Sequence, residues 1–147
     1  MKILMVCLGN ICRSPLAHGI MEKLVKEKNL DWEVDSAGTG DWHIGSPPDK
    51  RSIAVAKTYG LDISQQSGRQ FQVEDFDKFD RIFVMDEMNL RDVLSQARSY
   101  ADKAKVKLLL NTEAVPDPYY ENDQFDAVYR MVEAGCKKIL DEELESQ

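Results

Sequence analysis

The segment 2–6 places four apolar residues at consecutive positions after a lysine. A strand of this kind presents apolar side chains on both faces, which is typical of a parallel strand buried between two layers of helices. Ser14 and Pro15 then predict a helix start, with Ser14 as the N-cap and Pro15 at the first helical position. Apolar residues recur at helical spacing up to about Lys28. The chain therefore opens with a strand, a turn and a helix.

The remainder of the chain continues this alternation. Further strands are predicted over 32–36, 81–85 and 106–110, and further helices over 48–59, 73–79, 86–97 and 125–144. The segments 38–48 and 112–123 contain the turn residues of loops. This order predicts a single α/β domain over residues 1–147, with three layers and a central four-stranded parallel sheet. Functional sites of such sheets lie beyond the carboxyl ends of the strands, where Cys7 follows the first strand.

Charge and hydropathy exclude several classes of function. The formal net charge of −7 argues against nucleic acid and acidic membrane surfaces as partners. Residues 3–6 are too short an apolar run for a signal peptide, and no segment approaches the roughly 18 apolar residues of a membrane span. We therefore expect a cytoplasmic protein without membrane insertion.

The cysteine and histidine content predicts neither a disulfide framework nor a metal centre. The three cysteines, Cys7, Cys12 and Cys136, form no CxxC pair, and the two histidines are His18 and His43. An odd number of cysteines in a domain with a core is typical of reduced thiols. No spacing suggests a zinc site, so we expect no metal and no cofactor.

The turn after the first strand has the sequence Cys7-Leu8-Gly9-Asn10-Ile11-Cys12-Arg13-Ser14-Pro15. Its backbone N–H groups can surround an oxyanion, and the helix N-terminus adds positive potential. That environment favours the thiolate of Cys7, and Arg13 can donate two hydrogen bonds to a phosphate group. A small buried residue at a strand end is the plainer interpretation of Cys7, but it does not explain the surrounding turn. The chain lacks the Gly-Lys pair of a nucleotide-binding P-loop.

A second candidate segment is Val115-Pro116-Asp117-Pro118-Tyr119-Tyr120. Asp117 is the best candidate for an acid that protonates a leaving group, because its flanking prolines restrict the backbone. Tyr119 and Tyr120 can form the walls of a slot for an aromatic ring. By composition alone this segment is weak evidence, because an Asp between prolines is more often a plain turn residue and the tyrosines are also compatible with half-buried packing residues.

These motifs resemble the low-molecular-weight protein tyrosine phosphatases. The chain matches their N-terminal signature as VCLGNICRSP and their acid segment as DPYY. Intermediate matches are the segment 36–39, Trp42, the segment 68–70 and the segment 85–90, so the similarity extends over nearly the whole chain. Two departures are Gln66, where a histidine is frequent, and Glu121, where a glycine often follows the paired tyrosines.

The resemblance implies a role for each matched residue. Cys7 becomes the nucleophile of a phosphocysteine intermediate, Arg13 and the amides of residues 8–13 bind phosphate, and Asp117 is the general acid and base. The residues implied to bind substrate are Leu8, Gly9, Asn10, Ile11, Cys12, Ser14, Trp42, Tyr119 and Tyr120. Ser36 is implied to join Asn10 and Ser14 in a hydrogen-bond network that supports the loop, although it is equally read as the end of a strand.

Other implications concern partners and neighbouring residues. The resemblance suggests phosphotyrosine-containing proteins as substrates, with a tyrosine kinase as one candidate, and a monomeric enzyme. Cys12 matches a second loop cysteine that either forms a reversible disulfide with Cys7 or stays a passive thiol. Asp86 matches a position that is interpreted as a helix cap without a catalytic role.

Two other functions remain as alternatives. An arsenate reductase of similar fold also has a Cys-x5-Arg loop, but needs further cysteines to relay a disulfide. Here Cys12 lies in the loop and Cys136 lies on a predicted helix. A non-catalytic phosphotyrosine-binding module would keep the loop without its nucleophile or acid, whereas both Cys7 and Asp117 are present.

Overall fold

The computed structural model describes residues 1–146 and confirms the α/β prediction. Its strands are β1 (Lys2–Cys7), β2 (Glu33–Gly38), β3 (Arg81–Val84) and β4 (Val106–Leu108). They form a parallel sheet in the order β2-β1-β3-β4. The α-helices within residues 1–146 are α1 (Arg13–Glu27), α2 (Lys50–Thr58), α3 (Asp75–Lys78), α4 (Glu87–Leu94), α5 (Tyr100–Ala104) and α6 (Phe125–Glu145), and a 3₁₀ helix covers Asn122–Gln124. Within the same range, no helix is long and apolar enough to cross a membrane.

The consecutive apolar residues of β1 supply both layers of the core. Ile3 and Met5 face the cluster formed with α1, α2 and α6, whereas Leu4 and Val6 face the cluster formed with α3 and α4. All four side chains are fully buried. Because successive side chains of a strand point to opposite faces, one short segment organises the three layers.

Several predicted boundaries differ from the observed ones. Helix α1 begins at Arg13 with Cys12 as N-cap residue, so the prediction of Ser14 as N-cap is wrong. The Ser14 hydroxyl is 3.1 Å from Cys7 Sγ and binds the Asn10 side chain, and therefore does not cap the helix. Helix α4 ends at Leu94, and the short helix α5, capped by Ser99, follows as an element that the apolar pattern did not reveal.

The site-bearing loops follow the carboxyl ends of neighbouring strands. Val6 lies beside Val84, and Cys7 lies beside Gly38. The turn after β1, the loop after β2 and the residues after β3 therefore meet at one edge of the sheet. A Cβ atom on Gly38 would lie 2.8 Å from the carbonyl oxygen of Leu8, so a glycine is required where β2 passes the turn.

Candidate active site

Residues 8–12, which we call the phosphate loop, connect β1 directly to α1. Asn10 has a φ of 57°, a left-handed conformation that asparagine tolerates better than most residues. Its side chain donates to Ser14 Oγ at 2.8 Å and accepts from the backbone N–H of Arg69 at 3.0 Å. The carbonyl groups of Leu8 and Ile11 accept from Gly40 and Asp49, respectively. These outward bonds to the carbonyl groups leave amide groups free to turn toward the cavity.

The thiol of Cys7 lies at the base of this loop. Its Sγ accepts from the backbone N–H of Asn10 at 3.3 Å and lies 3.1 Å from Ser14 Oγ. Cys7 is 2% exposed, so a substrate must enter the cavity to reach the sulfur.

Arg13 is buried beside this sulfur and is held by two other segments. One of its terminal nitrogens, Nη1, donates to Asp86 Oδ2 at 2.7 Å and to the carbonyl oxygen of Val115 at 3.0 Å. Burial opposes the charged form, but the neighbouring Cys7 and Asp86 raise the pKa of Arg13 above its ordinary value. Arg13 is therefore a fixed cation at the base of the cavity.

Asp86 has two roles, of which the sequence indicated one. Its Oδ1 accepts from the backbone N–H of Asn89 at 2.8 Å, which caps α4 as expected. Its Oδ2 binds Arg13, a contact that the sequence analysis missed. The position of Asp86 just after the carboxyl end of β3 was a possible signal, because that end lies beside the end of β1.

Residues 116–120, which we call the acid loop, place Asp117 opposite Arg13. Asp117 Oδ2 is 3.6 Å from Arg13 Nη2, and Asp117 Oδ1 accepts from the backbone N–H of Tyr119 at 3.1 Å. The rings of Tyr119 and Tyr120 meet edge to face, with centroids 5.0 Å apart. Tyr120 is 90% exposed, so this pair lies at the mouth of the site.

A cavity of about 300 Å³ brings these groups together. It is lined by Cys7, Leu8, Gly9, Ile11, Cys12, Arg13, Trp42, His43, Asp117, Tyr119 and Tyr120. His43 also lines the cavity, although no sequence motif indicated it. Asn10 and Ser14, expected among the substrate-binding residues, do not line the cavity with their side chains. They lie behind the phosphate loop and brace it.

Comparisons with known proteins agree with this geometry. The model of the family described as low molecular weight phosphotyrosine protein phosphatase matches residues 2–147. The human low molecular weight phosphotyrosine protein phosphatase is 42% identical over 149 residues, which cover 95% of this chain and 94% of the human protein. The chain belongs to the low molecular weight phosphotyrosine protein phosphatase family. It is accordingly a protein tyrosine phosphatase.

Solved structures with the same fold are also similar to this phosphatase. The structure of a protein tyrosine phosphatase from Entamoeba histolytica, with Hepes in the active site, has a TM-score of 0.94 and 35% sequence identity. It covers 99% of this chain and 98% of that one. The structure of YfkJ from Bacillus subtilis has a TM-score of 0.93 and 35% identity, and covers 100% and 96% of the two chains.

Ser36 has a different partner in this phosphatase from the one expected. Its Oγ lies 2.9 Å from His18 Nδ1, and within residues 1–146 it makes no hydrogen bond to Asn10 or Ser14. His18 lies one turn after Ser14 on α1 and reaches Ser36 on β2. The expected direct support of the phosphate loop by Ser36 is therefore wrong, and Ser36 instead ties β2 to α1.

Gln66, noted above as a departure from the expected family pattern, contacts α1. Its Nε2 donates to the carbonyl oxygen of Pro15 at 3.0 Å, so the side chain contacts the first turn of α1. Its Oε1 is buried without a hydrogen-bond partner within residues 1–146. The substituted residue thus anchors the helix that carries Arg13.

The other two thiols of this phosphatase differ from Cys7 in their surroundings. Burial, followed by the negative charges of Asp49 and Cys7, raises the pKa of Cys12 to about 12. Burial also raises the pKa of Cys136, whose Sγ packs against the carbonyl oxygen of Ala17. The thiols of Cys12 and Cys136 are therefore protonated near neutral pH. The Cys7 sulfur differs from them in its contacts, because it lies within hydrogen-bond distance of both the Asn10 backbone N–H and Ser14 Oγ.

Proposed function

We propose that this phosphatase hydrolyses phosphotyrosine through a phosphocysteine intermediate on Cys7. The observation that carries the proposal is the meeting of the Cys7 sulfur, the buried guanidinium of Arg13 and the carboxyl group of Asp117 in a single cavity. Arg13 and the amides of the phosphate loop bind the phosphoryl oxygens, and Asp117 transfers protons. Preorganised donors of this kind act most strongly on charge that develops in the transition state.

The first step forms the sulfur–phosphorus bond. The Cys7 thiolate attacks phosphorus, the bond to the tyrosine oxygen breaks, and protonated Asp117 gives its proton to that oxygen. In the second step the Asp117 carboxylate takes a proton from water, whose oxygen attacks phosphorus. The sulfur–phosphorus bond then breaks, which releases inorganic phosphate and regenerates the thiolate and the protonated acid.

The depth of the cavity supports phosphotyrosine as the substrate class. The sulfur lies at its base, while Trp42 and Tyr120 remain 68% and 90% exposed at its mouth. A phenyl ring spans this depth and can pack between aromatic walls, whereas the side chain of phosphoserine is shorter. Phosphotyrosine-containing proteins are the proposed partners, with a tyrosine kinase as one candidate.

We extend the proposal to the conditions in which the enzyme acts. Arg13 and the backbone amides can balance the charge of the phosphoryl group, so hydrolysis should need no added metal. Residues 1–147 should form one catalytic domain that works as a monomer in the cytoplasm. Size-exclusion chromatography coupled to light scattering tests the monomer.

The deciding experiment compares the wild-type chain with Cys7→Ser. Hydrolysis of p-nitrophenyl phosphate and of matched phosphotyrosine and phosphoserine peptides is measured in EDTA. We expect metal-independent turnover with a preference for phosphotyrosine in the wild type, and no turnover in Cys7→Ser, which still binds phosphate. Turnover that persists in a folded Cys7→Ser protein would exclude the phosphocysteine intermediate.

A further inference from the structure

Arg51, on the first turn of α2, lies outside the cavity and yet connects its two loops. It forms a two-pronged ion pair with Asp49, in which Nε donates to Oδ1 at 3.0 Å and Nη2 donates to Oδ2 at 2.9 Å. Asp49 also caps α2, because its side chain accepts from the backbone N–H of Arg51. The hydrogen bond from the Arg51 side chain is the main reason why the pKa of the Asp49 carboxyl lies below its ordinary value. The pair therefore remains charged near neutral pH.

The third nitrogen of the Arg51 guanidinium reaches the acid loop. Nη1 donates to the carbonyl oxygen of Tyr119 at 2.9 Å and to Asn122 Oδ1 at 2.6 Å. The guanidinium also lies over two rings, 5.3 Å from the centroid of Tyr119 and 4.6 Å from that of Phe125. Planar stacking and several donors are properties of arginine that lysine does not share.

These contacts complete a path between the two loops. At one end, the backbone N–H of Asp49 donates to the carbonyl oxygen of Ile11 at 2.7 Å. At the other end, the backbone N–H of Tyr119 donates to Asp117 Oδ1 at 3.1 Å. Arg51 joins Asp49 to Tyr119, so a run of hydrogen bonds leads from the phosphate loop to the acid.

The acid loop has few other ties. Pro116 and Pro118 have no N–H group to donate. Within residues 1–146, the bond from Arg51 is the one hydrogen bond that links residues 116–120 to the chain before residue 115. The other polar contact that the described residues show between this loop and the chain before residue 115 is the 3.6 Å ion pair of Asp117 with Arg13. Loss of Arg51 would therefore remove the hydrogen bond that ties Tyr119 to the earlier part of the chain, while the backbone bond from Asp49 to Ile11 does not involve the Arg51 side chain.

We propose that Arg51 is a positioning residue that holds Asp117 in line with the leaving group through Tyr119. This inference rests on the proposed function, since it presumes that Asp117 donates the proton. A misplaced acid hinders the departure of a basic phenolate most and that of nitrophenolate least. Phosphate affinity depends on Arg13 and the phosphate loop, so it should not change.

The test uses Arg51→Gln, Arg51→Lys and a control, Arg130→Gln, whose exposed ion pair with Asp126 lies on α6. kcat/KM is measured for aryl phosphates with leaving groups of different pKa, together with inhibition by inorganic phosphate and the Tm. We expect Arg51→Gln to lose about tenfold in kcat/KM for phenyl phosphate and under about threefold for p-nitrophenyl phosphate. Arg51→Lys should show a smaller loss of the same kind. The inhibition constant for inorganic phosphate should be the same in the Arg51 variants as in the wild type, and Arg130→Gln should match the wild type in every measurement.

A second measurement separates positioning from a general structural role. In an Asp117→Asn background, Arg51→Gln should cause no further loss, because the group that it positions is absent. An equal loss for all leaving groups, or the same loss in that background, would overturn the inference. If Arg51→Gln does not fold, Arg51→Lys carries the same comparison. A wild-type chain without turnover would instead remove the proposed function and this inference with it.

Discussion

The phosphate loop and the acid loop face each other across one cavity, but they are held in different ways. The phosphate loop is buried and is fixed by hydrogen bonds from Asn10, Ser14 and three other segments of the chain. The acid loop is exposed except at Pro118, and one arginine side chain supplies its hydrogen bond to the earlier part of the chain. A segment with few buried contacts opens at low free-energy cost. The site thus combines a braced, largely buried loop for phosphate with an acid loop that few hydrogen bonds hold.

The largest expected effect is in the buried half of the site. Arg13→Lys keeps the positive charge but loses the planar pair of donors. We expect a loss of roughly 10³-fold in kcat/KM for p-nitrophenyl phosphate. The control is Arg81→Lys, whose native arginine pairs with Glu143 at 2.9 Å away from the cavity. A loss below about tenfold would show that the loop amides bind phosphate without a guanidinium.

The next effect tests the exposed half. Asp117→Asn preserves the size of the side chain and removes the proton that it donates. We expect kcat/KM for phenyl phosphate to fall roughly 10²-fold, with a much smaller fall for p-nitrophenyl phosphate, whose leaving group needs less protonation. A steady-state series of substituted phenyl phosphates measures this dependence. An equal fall along the series would remove Asp117 from the acid role.

The sequence predicted the first strand and the phosphate loop better than the contacts between segments that are distant along the chain. The run at residues 3–6 indicated a covered parallel strand, and the positions of Cys7 and Arg13 followed from the turn after it. These predictions succeed because local pattern and burial agree. The site contacts of Asp86 and Ser36 were missed or misassigned, since each depends on which strand lies beside which. Parallel pairing joins segments that are distant along the chain, and one sequence does not specify their neighbours.

The contacts of the acid loop were also not predictable from the sequence. Asp117 and its tyrosines are recognisable between prolines, but nothing near them indicates Arg51, which lies 68 residues away from Tyr119. Helix α5 was missed for a different reason, because five residues are too few to display a periodic apolar face. The N-cap residue Ser99 was the local sequence signal for this helix.

A smaller effect tests the bracing of the phosphate loop. Asn10→Ala removes two side-chain hydrogen bonds and leaves a methyl group at a φ of 57°. We expect about a tenfold loss in kcat/KM, because the amides around phosphate are no longer held in place. Asn10→Gly loses the same bonds without the conformational strain, so it should be more stable than Asn10→Ala by about 1 kcal/mol. Chemical denaturation compares the two, and equal stabilities would argue against strain at this position.

The smallest expected effect is at the mouth of the cavity. Tyr120→Ala removes a ring that is 90% exposed and touches Tyr119 edge to face. We expect KM for a phosphotyrosine peptide to rise about fivefold with kcat unchanged, since one aromatic contact contributes about 1 kcal/mol. Tyr100→Ala is the matched control, because Tyr100 is 86% exposed and does not line the cavity. If kcat fell instead, with KM constant, Tyr120 would belong with Arg51 among the residues that position the acid, and the exposed loop would be more firmly held than its contacts indicate.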